Sequence, residues 1–240
     1  MSLRDFFRRI VLPCPGCGGD DAPPGGNEFC PECFRQLRVY PEAMTVCPGC
    51  GGPLDGALAI CSQCLVEPDR PWRDAAAVFP YAGYGRELVQ AFKFMNRPEL
   101  ARPLGTLAAE VVRKRDLSPD LLGPIPLTWT RLLMRGYNQA ELLAKIVGAR
   151  LGVPVATALK RRRGRPKQSS LNRRERHRQR GIFECVGAEK VQGRRVMIVD
   201  DVFTTGATLS AAAEALSAAG AAELTVLTVA RTPAYSDLSG

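Results

Sequence analysis

The chain has 240 residues, with 33 Lys and Arg against 24 Asp and Glu, nine cysteines, one histidine (His177) and a formal net charge of +9. No stretch approaches the roughly 18 consecutive apolar residues that cross a bilayer, and the opening MSLRDFFRRIVLPCPGC has no apolar signal core or small-residue cleavage site, so the sequence excludes membrane insertion and points to the cytoplasm. One imidazole also excludes Cys₂His₂ fingers and HExxH metal sites, while 45% hydrophobic residues suffice for a real core.

Eight cysteines form four CxxC pairs: Cys14/Cys17, Cys30/Cys33, Cys47/Cys50 and Cys61/Cys64. CPGCGG occurs at 14–19 and again at 47–52, each copy followed by a second pair, CPEC at 30–33 and CSQC at 61–64. Each repeat is rich in Gly and Pro and too poor in large apolar residues to fold by burial. A CxxC turn aims two thiolates at one point, and two turns complete a tetrahedral S₄ zinc site. The predicted cofactor is therefore two structural Zn²⁺, paired within each repeat, a crossed pairing being the alternative. A disulfide framework fits poorly with a reducing compartment, and a redox CxxC has no need of four copies. With every thiolate engaged, these metals fold the module and take no part in catalysis. The ninth cysteine, Cys185, reads as a small, partly buried apolar residue.

After the Pro-containing stretch 65–75, the pattern becomes that of an α/β domain. Residues 76–81 read as a strand, 87–95 and 100–114 as amphipathic helices, 121–127 as a buried strand and 140–152 as a helix stopped by glycine. Residues 160–180 then hold eleven of the bases and one acid. The basicity is thus a segment rather than a coat, and such a run meets phosphate locally. Within it, RRRGRPK (161–167) resembles an AT-hook for the minor groove. The predicted partner is nucleic acid, single-stranded DNA, through Lys160 to Arg180; a solvated loop is the plainer alternative. The run itself contains no Trp or Tyr on which bases could stack.

Residues 194–201 read as a strand ending in two acids, 209–220 as an alanine-rich helix with a glycine stop, and 222–230 as another buried strand. Strand, helix and strand in this order imply a parallel sheet, whose ligands sit at the carboxyl ends of the strands. The most specific signal is VMIVDDVFTTGAT (196–208). Asp200 and Asp201 end the apolar run, and Thr204, Thr205, Gly206, Ala207 and Thr208 open the next helix, where backbone N–H groups and the positive helix end suit a phosphate monoester. Paired carboxylates beside a phosphate suit a sugar diol, whose hydroxyls donate to them. The absence of GxxxxGK[ST] argues against a P-loop NTPase.

This stretch resembles the 5-phosphoribosyl-1-pyrophosphate (PRPP) motif of type I phosphoribosyltransferases. Together with PIPLTWTRLLMRGYNQA (124–140), QSSLNRRERHRQRGIF (168–183) and the double cysteine module, the chain resembles the ComF family of competence-associated proteins over nearly its whole length. The resemblance implies an α/β fold: a type I phosphoribosyltransferase-like parallel sheet flanked by helices over 76–240, a linker over 69–75 and a small double zinc-ribbon module over 1–68. It implies that Asp200 and Asp201 meet the ribose 2′ and 3′ hydroxyls, that Thr204 to Thr208 bind the 5′-phosphate, and that Mg²⁺ accompanies PRPP. The loop after Pro126 corresponds to the pyrophosphate loop, with Arg131 and Arg135 as its catalytic candidates against a plainer reading as surface salt-bridge partners. Thr128 stands where the family commonly has histidine, and Gln179 where it often has asparagine. The family also implies a role in DNA uptake, with uptake-machinery proteins as partners. Two functions follow: a PRPP-binding and nucleic-acid-binding module serving natural transformation, or an enzyme transferring phosphoribose from Mg–PRPP to an acceptor.

Overall fold

The apolar runs are too short and too evenly apolar to be surface strands, and in the computed structural model they pack between two layers. The structure describes residues 13–20, 28–54, 58–66, 68–162 and 181–233. Two short helices, α1 (Pro31–Leu37) and α2 (Ser62–Leu65), belong to the cysteine repeats. The α/β elements then follow as β1 (Asp74–Pro80), α3 (Gly83–Phe94), a 3₁₀ turn (Pro98–Leu100), α4 (Ala101–Lys114), β2 (Leu121–Pro124), α5 (Trp129–Arg135), α6 (Gln139–Leu151), β3 (Leu159–Arg161), β4 (Phe183–Cys185), α7 (Ala188–Val191), β5 (Arg195–Phe203), α8 (Ala207–Ala218) and β6 (Glu223–Arg231). Strands β1, β6, β5 and β2 form one sheet in that order, every neighbouring pair parallel, while β3 and β4 make a separate antiparallel pair. The expected parallel α/β sheet is present. Among the described residues no helix is long and apolar enough to cross a membrane.

Successive residues of β5 face opposite layers, and the core divides accordingly. Met197 and Val199 join Phe92, Leu104, Val112 and Leu143 of the α3, α4 and α6 layer, whereas Val196 and Ile198 join Leu209 and Leu216 of α8. Cys14, Cys30 and Cys33 belong to the first layer and Cys47, Cys50, Cys61 and Cys64 to the second. The cysteine repeats therefore straddle the sheet. Between them the chain passes the outer edge of β1, where the Tyr40 N–H donates to the Val78 carbonyl at 2.9 Å. That contact covers part of an edge that would otherwise invite pairing with another chain.

The glycine stop predicted for α6 is Gly152, left-handed at φ 71°. Two expectations change. The strand expected over 121–127 closes at Pro124, because Pro124 and Pro126 carry no N–H for a ladder. The strand expected to end at Asp201 runs on to Phe203, placing both acids inside β5, with Asp200 opposite Thr228. Trp72, in the stretch read as a linker, is buried.

Candidate functional site

The duplicated sequence folds into duplicated turns. The Cys14 N–H reaches the Gly19 carbonyl and the Cys47 N–H the Gly52 carbonyl, both at 2.7 Å; the Cys30 N–H donates to Cys14 Sγ at 3.3 Å and the Cys61 N–H to Cys47 Sγ at 3.4 Å. The eight sulfurs form two groups, Cys14/Cys17/Cys30/Cys33 and Cys47/Cys50/Cys61/Cys64, each with its Sγ atoms within 4.8 Å of one another. Cys17 and Cys30 Sγ are 3.9 Å apart and Cys50 and Cys61 Sγ 3.6 Å. A disulfide needs about 2.05 Å, while four sulfurs at about 2.3 Å from a tetrahedral zinc stand about 3.8 Å apart. The donor set and its spacing fit structural zinc, paired within each repeat as expected.

The copies differ in what surrounds them. In the first, Cys17 is exposed and the Tyr84 hydroxyl of α3 donates to Cys33 Sγ at 3.0 Å. In the second all four cysteines are buried, and Arg231, fully buried at the end of β6, donates from Nη2 to Cys61 Sγ at 3.6 Å. A zinc-loaded Cys₄ site carries about two net negative charges, so the guanidinium is paired with an anion of opposite sign. Gly52 packs against this side chain and has no room for a Cβ.

At the carboxyl end of β5, Thr204 and Thr205 are exposed and Gly206 sits at φ 84° before α8 begins. A Cβ on Gly206 would meet the Phe203 ring at 2.9 Å and Arg70 Nη1 at 2.8 Å, so both space and backbone conformation require glycine there. The Ala207 N–H donates to Thr205 Oγ1 at 3.3 Å. The resulting turn presents hydroxyls and first-turn N–H groups together at the positive end of a helix.

The two carboxylates differ. Asp201 is buried, and its Oδ1 takes the Lys93 ammonium of α3 at 2.8 Å. Asp200 accepts the Asp201 N–H at 2.9 Å. Burial, and then the neighbouring Asp201 charge, push the Asp200 carboxyl up to about 7, against a smaller pull from Lys93 and Arg135. The carboxyl end of α3, which carries Lys93, is tied to the motif RGYNQA. The Tyr137 hydroxyl and Gln139 Nε2 both donate to the Phe92 carbonyl, one of the last carbonyls of α3, and the Arg135 guanidinium lies 4.7 Å from the Phe94 ring centre. Asn138 caps α6 and donates to the Ile125 carbonyl at 3.0 Å, tying the motif to the loop after β2.

Arg135 also donates to Gln139 Oε1 at 3.1 Å. Arg131 stands on α5, and its charge, after burial, lowers the pKa of Arg161 on β3; among the described residues no acid forms a salt bridge with Arg131 or Arg135. Arg162 pairs with Glu184 at 3.5 Å. Thr128 caps α5 by accepting the Arg131 N–H at 3.3 Å. Of the basic run, residues 163–180 lie outside the described residues, Gln179 among them.

Asp200, Asp201 and the turn Thr204–Thr208 are therefore contiguous, and Arg135 lies within electrostatic reach of Asp200. Sequence reasoning missed Lys93, Gln63, Arg70 and Arg231. A signal existed for Lys93, a cation four residues after Val89 on the apolar side of a helix.

Residues 134–239 match the family model of the phosphoribosyl transferase domain. The DNA utilization protein YhgH of Escherichia coli strain K12 is 34% identical over 211 residues, covering 85% of this chain and 90% of that protein. Competence protein F of Haemophilus influenzae is 30% identical over 237 residues, covering 95% and 100%. Competence protein ComFC of Bacillus subtilis is 31% identical over 204 residues, covering 82% and 80%.

Proposed function

Because this chain belongs to the ComF family of competence-associated proteins, we propose that it binds Mg–PRPP at the carboxyl edge of its sheet and serves DNA uptake in natural transformation. The observation that carries the reading is the adjacency on β5 and α8 of two acids and a glycine-hinged, hydroxyl-lined helix start. Thr204 to Thr208 take the 5′-phosphate, and Asp200 and Asp201 accept the ribose hydroxyls. A carboxyl near 7, as at Asp200, tolerates an adjacent phosphate better than a fully ionised one. Arg131 and Arg135 supply cations for the pyrophosphate that Mg²⁺ accompanies.

Calorimetric titration with Mg–PRPP tests the site. Wild type binds, and Asp200→Asn and Asp201→Asn weaken binding by about tenfold or more, each removing a charge-assisted acceptor; unchanged affinity in both variants would remove the ribose assignment. Pyrophosphate release in the presence of nucleobases or DNA separates the two functions. Acceptor-dependent release lost in these variants identifies a transferase, and binding without release a sensor or adaptor.

Single-stranded DNA is the second ligand, through Lys160 to Arg180. Arg131 and Arg161 support this reading, since like charges in mutual reach suit a polyanion. Binding should weaken steeply with salt, and neutralising Arg161 to Arg163 should flatten the log–log slope by about one for each phosphate left without its cation. An unchanged slope would place the DNA on another part of the surface.

A further inference from the structure

The two cysteine repeats are equivalent in sequence, and one position within them has diverged in what it touches. In CPEC the third residue is Glu32, which is exposed and bonds Arg35 and Gln36 of its own helix. In CSQC the same position is Gln63, and its Nε2 donates to the Thr204 carbonyl at 2.8 Å, 141 residues along the chain. Its Oε1 in turn accepts from Arg231 Nη2 at 3.5 Å, the same nitrogen that reaches Cys61 Sγ. A second line runs beside the first. The indole of Trp72 donates to the Gly49 carbonyl in the same cysteine repeat, or knuckle, at 3.2 Å and meets the Phe203 ring edge-on at 6.4 Å, with Arg70 over both rings. Phe203 ends β5 and Thr204 opens the turn.

We propose that Gln63 is a positioning residue for the phosphate-binding turn, through which the second cysteine knuckle fixes the direction of the turn's backbone donors. In a trans peptide the carbonyl and the following N–H point opposite ways, and the described chain contains no cis bond. Holding the Thr204 carbonyl toward the knuckle therefore turns the Thr205 N–H away from it, toward the side from which an anion approaches α8. Without a donor at position 63 this peptide can rotate, and a carbonyl facing the anion repels it. The side chain of Gln63 is in turn held between Thr204 and an arginine that answers the thiolate cluster.

This inference rests on the phosphate reading of the turn, and the experiment keeps the two apart. Gln63→Met keeps the length of the side chain and removes both the donor to Thr204 and the acceptor of Arg231; Glu32→Ala is the matching change in the other repeat. Both are titrated with ribose 5-phosphate, which needs the turn, and with inorganic pyrophosphate, which needs the arginines, after zinc analysis of each protein. Expected are two zinc per chain throughout, about tenfold weaker ribose 5-phosphate binding in Gln63→Met alone, and pyrophosphate binding unchanged. Amide hydrogen exchange over residues 204–208, which needs no ligand, is expected to quicken in Gln63→Met and not in Glu32→Ala. Wild-type affinity and wild-type exchange in Gln63→Met overturn the proposal, as does an equal loss for both ligands, which would mark a general loosening. A wild-type protein that ignores ribose 5-phosphate overturns the phosphate reading itself, and the positioning role with it.

Discussion

Serine at Cys64 should leave one zinc per chain and no stable sheet, whereas serine at Cys17 should also leave one zinc but a sheet that still unfolds cooperatively. Structural zinc sites contribute on the order of 10–16 kcal/mol of apparent binding energy, comparable to or larger than the roughly 5–15 kcal/mol that holds a typical domain together. Whether losing one is survivable therefore depends on what else the site supports. Cys64 is fully buried in a cluster that packs with Trp72, Phe203 and Val196 on the α8 side of the sheet. Removing its metal also disrupts the zinc–thiolate group against which the buried Arg231 guanidinium is set, and disturbing a buried charge pair costs up to about 3–5 kcal/mol. Cys17 is exposed, and although Cys14, Cys30 and Cys33 share the core of the other layer, no buried cation is set against that sulfur cluster among the described residues; the repeat meets the domain through α1 on α3, the Tyr84 hydroxyl and the bond from Arg97 to the Pro15 carbonyl. Zinc analysis with thermal unfolding of both variants decides the matter. Equal melting of the two would contradict this asymmetry.

The second large effect concerns Lys93. Replacing it by methionine should destabilise the protein by about 3 kcal/mol at pH 8, because Asp201 is left as a buried charge without its cation, beside a second carboxyl. The effect should shrink on acidification. A carboxyl held near 7 in the folded state and near 3.9 in the unfolded chain binds a proton in the folded state only, between about pH 4 and 7. Stability thus falls as pH rises through that window and levels off above it. Without Lys93 the carboxylates lose a stabilising charge, so the fall becomes steeper and reaches higher pH, and variant and wild type converge toward pH 5. Denaturant unfolding at pH 5, 6.5 and 8 measures this; a pH-independent difference would show that Lys93 acts by packing alone.

Legibility in the sequence follows the range of the interaction. Strands β1, β5 and β6, the Gly152 stop and the glycine at the start of α8 are readable because apolar runs and left-handed positions are local properties. The cysteine pairing is readable because the unit is repeated. Helix α5 escaped although Thr128 and Gly136 cap it at both ends, because none of its residues is buried and no apolar stripe marks it. The apolar letters of 121–127 overstated β2, since two prolines among them cannot join a ladder. The partnerships of Lys93 with Asp201 and of Gln63 with Thr204 join residues far apart in the chain, and no spacing rule reaches across such a gap. For the same reason Asp200 and Asp201, adjacent and alike as letters, gave no sign that one would be neutralised by an ammonium and the other raised toward neutrality.

The placement of Arg231 also sets an order of events. It lies in the last strand of the sheet, yet it is the cation buried against Cys61, 170 residues earlier. A chain made from its N-terminus can load metal into both knuckles while the ribosome is still at work, since each knuckle is local. The second knuckle cannot reach its final burial until β6 has been synthesised and inserted between β1 and β5, a step of high contact order and correspondingly slow. Until then its thiolates and the apolar surface around Trp72 remain accessible, and zinc-starved cells should lose this protein during synthesis more readily than after it.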